Sequence, residues 1–475
     1  MEVEKGERKE RREEEFLAAA IEVGKKILTF EDAVIVHHFD SDGVPGGAIV
    51  FSAMARNGIT PAMQCWKKVT VENLDQLAKT SYKQIIFDDI GTGQLKLLEQ
   101  KLPNREIVII DHHEPELKIG ERKPNFTVIN PHDFGLQGAT EACSAVTSYF
   151  CFRNYKDLAQ PAIVGAVGDV QAENGMQGIN KVLLQDAVEA GICEVKQDLK
   201  LFGRSSRSLV SFLSYCSDPF LPGLSGNDKN CARFLMENGI PTREGDKTLS
   251  YFDLSEENRK KLASALIEYA FANGVEEEAV KGMVGEIYLF PHETRGSPFF
   301  DSHEFAVVMN ACGRNNAAEI GVRAALGEKE ARQQAEQILL QHRQNLRQGI
   351  LLGRTKVADI GPYYLIDLRG QVKDSIIGTV CNGVLHSTEQ AKPLLGIAND
   401  EDDGEMVKIS TRGTKKLLDK GLNLNLALRA ACADLGKSIG GGHNIAAGAS
   451  VEKRFLSEFL EKFAEVIKKQ TAKIA

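Results

Sequence analysis

Short apolar runs alternate with amphipathic stretches along this chain in two separate blocks. In the first, runs at 33–36 (AVIV), 85–87 (IIF), 107–110 (IVII), 127–129 (TVI) and 162–167 (AIVGAV) predict strands separated by helices. Runs without polar alternation imply a parallel sheet covered on both faces. Residues 1–15 are nearly all charged and lead into the periodic stretch Phe16 to Ile27, which predicts one N-terminal helix within 1–30, its first half solvated. The rhythm stops after residue 177, where helices are predicted at 182–190, 208–215, 229–237 and 255–273. A second block brings strands at 304–309 (EFAVVM), 363–368 (YYLIDL), 394–398 (LLGIA) and 406–410 (MVKIS), with a helix at 328–349. The expected fold class is α/β: a parallel-sheet domain (31–177), a helical insert (178–295) and a smaller α/β domain (296–475).

Composition narrows the function classes. A chain of 475 residues is too long for one core, and 43% hydrophobic with 26% charged residues is globular. No apolar run is long enough to span a bilayer, and the charged start is unlike a signal peptide, so no membrane association is expected. Nine cysteines without a C-x-x-C pair read as free thiols in a reducing cytoplasm. With Lys+Arg 58 against Asp+Glu 66 the net charge is −8, so a polyanion must be gripped in a local basic channel rather than by bulk charge.

Candidate chemistry gathers at the predicted strand ends: His37-His38-Phe39-Asp40-Ser41-Asp42-Gly43, Asp88-Asp89-Ile90-Gly91, Asp111-His112-His113 and Gly168-Asp169. In an open parallel sheet these ends form one crevice. So many carboxylates and imidazoles there repel one another unless cations are bound. The mixed oxygen and imidazole set suits Mn²⁺ or Mg²⁺ better than a structural zinc, and its size suits two ions sharing a carboxylate. Taken singly, each motif has a bland reading as a turn, a half-buried histidine pair or a helix cap; their shared position carries the argument. His38 to Gly43 is no EF-hand, because Ile49 stands where the bidentate Glu belongs. Gly436-Lys437-Ser438 lacks the first glycine of a P-loop, and Gly91-Thr92-Gly93 the third of a dinucleotide fingerprint.

Further polar groups are candidates for phosphate contact. Gly440-Gly441-Gly442-His443 predicts a glycine-rich loop whose N–H groups cradle phosphate. Ser410 and Arg412 follow a strand, Arg314 and Asn315 form another cluster, and Arg204 and Arg207 are expected to line a channel from the insert. Their bland readings are surface ion pairs and solvated side chains.

Together these motifs resemble the DHH phosphoesterase superfamily, in that family's order: His38-x-Asp40-x-Asp42-Gly43, Asp89-x-Gly91, Asp111-His112-His113, Gly168-Asp169, and Gly440 to His443 as the GGGH loop of the DHH-associated C-terminal domain. The chain is most similar to archaeal RecJ-like nucleases, including the GINS-associated type. The resemblance implies a DHH catalytic domain and a DHH-associated substrate domain with a cleft between them. It implies His38, Asp40, Asp42, Asp89, His112 and Asp169 as ligands of two divalent ions, Mn²⁺ or Mg²⁺, with Asp89 bridging. His37 stands where relatives have a small residue, so either imidazole could ligate, and His38 is favoured. Asp111 is implied as an orienting residue and His113 as the contact to the scissile phosphate. The implied activity is exonuclease action on single-stranded DNA or RNA in replication or repair, with the GINS complex a possible partner. Competing readings are a small-molecule phosphoesterase (nano-RNA, cyclic dinucleotide or pyrophosphate) and a non-enzymatic replication scaffold.

Overall fold

The computed structural model describes residues 2–471 except Ser217, with side chains from Lys9 onward. Two compact units divide the chain, residues 1–339 and 340–475.

The first unit is built on five parallel strands: β1 (Ala33–His38), β2 (Ala62–Trp66), β3 (Gln84–Asp88), β4 (Glu106–Ile110) and β5 (Phe126–Ile129), in the order β2-β1-β3-β4-β5. Alternate residues of the apolar strands feed two cores. Ile35, Ile86, Val108 and Ile110 pack with α1 (Glu2–Ile27), α2 (Gly43–Arg56), α5 (Ser144–Cys151) and α6 (Ala159–Gly168). Val34, Val36, Ile85, Phe87, Ile107 and Ile109 pack on the other side, with α3 (Val71–Ala78) and α4 (Leu95–Lys101). Burial on both faces is why these strands read as unbroken apolar runs. β2 (AMQCW) escaped the sequence reading because, at the sheet edge, it is only partly covered and carries no such run. As expected, α1 buries Phe16, Ala20, Val23 and Ile27 while residues 9–12 are exposed.

Two expected strands are helices. The run at 162–167 lies in α6, and 304–309 in α12 (Ser302–Arg314). Both are buried among other helices, so their apolar residues continue around the helix, and periodicity cannot tell such a run from a buried strand. Asp169 therefore stands at a helix C-terminus, not a strand end. Helices α12 and α13 (Ala318–Ala325) pack in the first unit's core, so this unit extends well past the expected boundary at 295/296, into α14 (Lys329–Thr355).

The insert holds α7 (Gly178–Glu189), α8 (Leu209–Ser214), α9 (Asp228–Glu237), α10 (Glu256–Ala272) and α11 (Glu277–Lys281). A separate core from Leu199 to Met283 lies beneath the last four. An unforeseen antiparallel ribbon, β6 (Glu194–Leu199) with β9 (Val284–Leu289), brackets it, and β7 (Arg243–Glu244) with β8 (Lys247–Thr248) adds a short hairpin.

The second unit is a mixed sheet in the order β10-β11-β12-β13-β15-β14. Its strands are β10 (Ala358–Asp359), β11 (Tyr364–Asp367), β12 (Leu394–Asn399), β13 (Met406–Arg412), β14 (Ile439–Gly442) and β15 (Ala446–Glu452). One face packs on α15 (Asp374–Leu385) and the end of α14, the other on α17 (Leu424–Cys432) and α18 (Leu456–Thr471), with the short α16 (Lys415–Asp419) beside them. Among the described residues no helix is long and apolar enough to cross a membrane.

Candidate metal centre

The crevice at the carboxyl ends of β1, β3 and β4 collects the acidic motifs. Strand order reverses between β2-β1 and β3-β4-β5, the switch point where open α/β sheets bind ligands. Asp40 Oδ1 accepts the N–H groups of Asp42 and Gly43 at 3.1 and 3.0 Å, which starts α2 and leaves Oδ2 for the crevice. Asp42 Oδ2 and Oδ1 accept N–H bonds from Ser144 and Ala145 at the start of α5, at 2.8 and 2.9 Å. Asp89 leaves β3 with a positive φ of 61°. That conformation is strained for a residue with a side chain, and such strain persists where the surroundings over-determine it.

Side-chain geometry divides the donors into two groups that share Asp89. On one side, His38 Nδ1 lies 3.2 Å from Asp89 Oδ2 and 3.0 Å from Asp40 Oδ2. On the other, His112 Nε2 lies 3.3 Å from Asp89 Oδ1, 3.8 Å from Asp42 Oδ2 and 3.7 Å from Asp169 Oδ2. Three sets have ligand atoms within 4.8 Å of one another, close enough to hold a cation: His38, Asp40 and Asp89; Asp89, His112 and His113; and Asp42, His112 and Asp169. His37 takes no part: it is 2% exposed, its Nδ1 contacts the His38 carbonyl at 2.8 Å, and Gly47 leaves just enough room for its ring.

The electrostatics fit cations in both places. Burial, then the Asp89 charge, pushes Asp42 up to about 7; burial and Asp42 push Asp169 up to about 6. Burial opposes charge on His38, yet Asp40 and Asp89 push it up to about 11; Asp89 likewise outweighs burial and raises His112 well above its ordinary value. Carboxylates that resist ionising together, beside imidazoles drawn toward protonation, form a donor set that a divalent cation would satisfy.

Surrounding groups orient these donors. Asp111 Oδ2 accepts from the Thr92 N–H at 2.9 Å and its hydroxyl at 2.6 Å, while Oδ1 meets His113 Nδ1 at 2.8 Å. Burial works against this carboxylate, but the His113 and Thr92 hydrogen bonds hold it down at about 2. His112 Nδ1 donates to the Gly138 carbonyl at 2.8 Å, which aims Nε2 at the cluster.

Sequence reasoning missed Gln171, whose Nε2 donates to the same Gly138 carbonyl at 2.7 Å and to Asp169 Oδ2 at 2.8 Å. Asn180 fixes its Oε1 at 2.7 Å, and Ser144 Oγ donates to Asp89 Oδ1 at 3.2 Å. Only its place two residues after Asp169 hinted at Gln171; Ser144 and Asn180 carry no local signal. Because Gln171 steadies Asp169 directly and shares the carbonyl that orients His112, both candidate ligands, Gln171→Ala is expected to weaken Mn²⁺ binding about 10- to 100-fold, measured by calorimetric titration, with the fold retained by circular dichroism.

The expected phosphate-contacting residues separate. Arg314 ends α12 and Asn315 caps it, beside the first motif: Arg314 Cζ lies 6.0 Å from the Phe39 ring centroid. A Cβ on Gly313 would come within 1.6 Å of the Phe39 carbonyl oxygen. Gly313→Ala must therefore push α12 away from the motif, and is expected to destabilise the first unit by about 1–3 kcal/mol in thermal unfolding, with weakened Mn²⁺ binding.

Arg204 does not line a channel: it is 0% exposed and paired with the equally buried Asp301 at 2.6 Å. Burial follows from its bonds, Nε to Asp301 Oδ2 at 2.7 Å and an NH group to the Leu199 carbonyl at 2.6 Å. Arg207 lies over the rings of Phe202 and Tyr215, at 4.7 and 4.9 Å.

In the second unit, Arg412 donates to the Ser410 hydroxyl at 3.1 Å; Ser410 is buried, and desolvation lowers the Arg412 pKa. Gly440, Gly441 and Gly442 are not a loop but edge strand β14, paired with β15. A Cβ on Gly440 would meet Leu428 Cβ of α17 at 3.0 Å, so close helix packing requires the glycine there. His443 is exposed in the turn that follows, where its N–H donates to the Ala446 carbonyl at 2.9 Å.

Known proteins match this architecture. Residues 201–284 match the family model of the DHH-CID domain, and residues 361–469 that of the DHHA1 domain. An uncharacterised protein of Methanocaldococcus jannaschii is 28% identical over 442 residues, covering 92% of this chain and 93% of its own. CDC45 from Entamoeba histolytica shares the fold with a TM-score of 0.60 at 14% identity, over 96% of this chain and 98% of that one. RecJ from Thermus thermophilus, solved in complex with Mn²⁺, superposes with a TM-score of 0.55 at 16% identity over 96% of this chain, which spans 55% of that RecJ.

Proposed function

We infer that the chain, which carries DHH-CID and DHHA1 domains and shares the fold of RecJ, is a divalent-metal-dependent exonuclease of the DHH superfamily hydrolysing phosphodiester bonds of single-stranded DNA or RNA. One observation carries this reading: the two oxygens of Asp89 face two separate imidazole–carboxylate groups. His38 and Asp40 would hold one Mn²⁺ or Mg²⁺ ion, Asp42, His112 and Asp169 the other, and Asp89 both. Bound there, the pair supplies Lewis-acid charge that activates water near neutral pH and offsets charge on the phosphate.

The chain's own residues do the positioning. Asp111, through its bond to Nδ1, favours the protonated His113 ring and leaves Nε2 free of that bond on an exposed side chain. From there Nε2 can donate to the phosphate oxygen where negative charge develops. Asp42 is held at the start of α5 and Asp169 by Gln171, so neither carboxylate must reorganise when a substrate arrives. Ser410, Arg412 and the Gly440 to His443 segment are proposed as nucleic-acid contacts of the second unit, and Arg207 as one of the insert.

The CDC45-like fold favours a second reading, a scaffold without chemistry that binds a replication assembly such as the GINS complex. Against it stands the energetic cost of gathering buried like charges, which raise the pKa of Asp42 and Asp169 when no cation offsets them. End-labelled single-stranded DNA and RNA, incubated with the protein and Mn²⁺ and sampled over time, test the choice. Stepwise release of mononucleotides that stops in Asp89→Ala is the expected result. Intact strands beside rapid cleavage of dinucleotides would move the activity to small phosphoesters, and no cleavage with any metal would leave the scaffold.

A further inference from the structure

Phe39 stands between His38 and Asp40, yet its ring does none of their work. It is half-buried, and among the described residues it belongs to no hydrophobic core cluster. The ring meets the His38 imidazole edge-on, with centroids 4.7 Å apart and planes at 83°. The Arg314 guanidinium carbon lies 6.0 Å from its centroid. That placement is enforced by the main chain: Gly313 abuts the Phe39 carbonyl with no room for a Cβ, and Asn310 Nδ2 donates to Ser41 Oγ at 2.9 Å. Helix α12 is thus bolted to the motif loop, and its last residue is delivered to the phenyl ring. An aromatic ring at the rim of a cation-binding cluster, outside the cores and beside a guanidinium, offers a flat π face with a positive charge nearby.

The geometry points to Phe39 as the stacking face for the base of the nucleotide whose phosphate lies at the cluster, the base using the face of the ring that Arg314 does not cover. This rests on the nucleic-acid reading above and deepens it by adding a nucleobase subsite. Every base has a π face, so such a subsite tolerates any sequence. A base inside a duplex already stacks on its neighbours, so the same ring accounts for a requirement for an unpaired end.

The test compares kcat/KM for Mn²⁺-dependent release of the terminal residue from two single-stranded oligonucleotides, one with a normal and one with an abasic end. The wild type is expected to prefer the intact end by about 5- to 100-fold, Phe39→Ala to bring that ratio to about 1, and Phe39→Tyr to restore it. A ratio unchanged in Phe39→Ala overturns the subsite, even if both rates fall together, since that pattern marks a merely structural ring. If the wild type cleaves neither oligonucleotide, the nuclease reading itself fails. The subsite is then read from the fluorescence of a terminal 2-aminopurine bound in Ca²⁺: quenching lost in Phe39→Ala supports it, and equal quenching in both proteins overturns it.

Discussion

Asp89→Ala is expected to lower metal-dependent hydrolysis by at least about 10³-fold, the scale on which removal of electrostatic stabilisation at a reacting phosphate is felt. Among the described residues no other carboxylate lies within ion-pair distance of both His38 and His112, so its loss is expected to weaken both proposed ion sites at once. The fold is expected to survive. Asp89 sits at a positive φ among other carboxylates, and its charge, after burial, raises the Asp42 pKa, so its removal relieves that repulsion while sacrificing the 3.2 Å bond from Ser144 and the contacts with His38 and His112 at 3.2 and 3.3 Å. Alanine at that φ remains strained, which offsets part of the relief. Thermal unfolding separates the two effects: the metal-stripped variant should melt within a few degrees of the stripped wild type. The wild type alone should gain stability on adding Mn²⁺, by about 2.7 kcal/mol at a hundredfold excess over Kd. A variant that keeps full activity and the Mn²⁺ shift would remove Asp89 from the centre.

Arg204→Ala is expected to destabilise the first unit by about 3–5 kcal/mol, because it strands the Asp301 carboxylate in a dry interior. For a unit of 339 residues that is a fall of roughly 4–7 °C in its melting transition. The pair does more than match charges. Asp301 caps α12 by accepting the His303 N–H at 2.9 Å, while Arg204 reaches the Leu199 carbonyl at the end of β6, so it ties the insert to the base of α12. Acid should reveal the same bond. Burial alone would raise Asp301, but Arg204 and His303 hold its carboxyl well below the usual 3.8. The ionised group therefore contributes stability above pH 3.8, lost as pH falls below it. In Arg204→Ala this acid-sensitive part of the stability should be gone. A substrate-binding Arg204 would instead raise KM and leave the melting temperature unchanged, the outcome that would refute the structural assignment.

The motif residues were legible in sequence because their chemistry is local and their spacing follows the strands. Asp40 and Asp42 lie on one turn after β1, Asp89 follows β3, and Asp111 to His113 follow β4. Unbroken apolar runs placed β1, β3, β4 and β5, since strands covered on both faces have no polar positions to interrupt them. Those patterns determined the sheet, the crevice and the identity of the acidic and imidazole groups that meet there.

Tertiary structure decided what depends on who packs against whom. AIVGAV and EFAVVM became helices because helices on all sides bury every face of them, a circumstance their residue types do not encode. Gly440 to Gly442 became an edge strand by pairing with β15, Gly440 lying where α17 leaves no room for a Cβ, and Arg204 turned inward because Asp301, ninety-seven residues away, waits for it there. That His38 and not His37 faces Asp89 came from β1 itself, because successive side chains leave a strand on opposite faces. Residue types are a property of the chain, but charge separation, burial and hydrogen-bond partners arise only when distant segments are brought into contact.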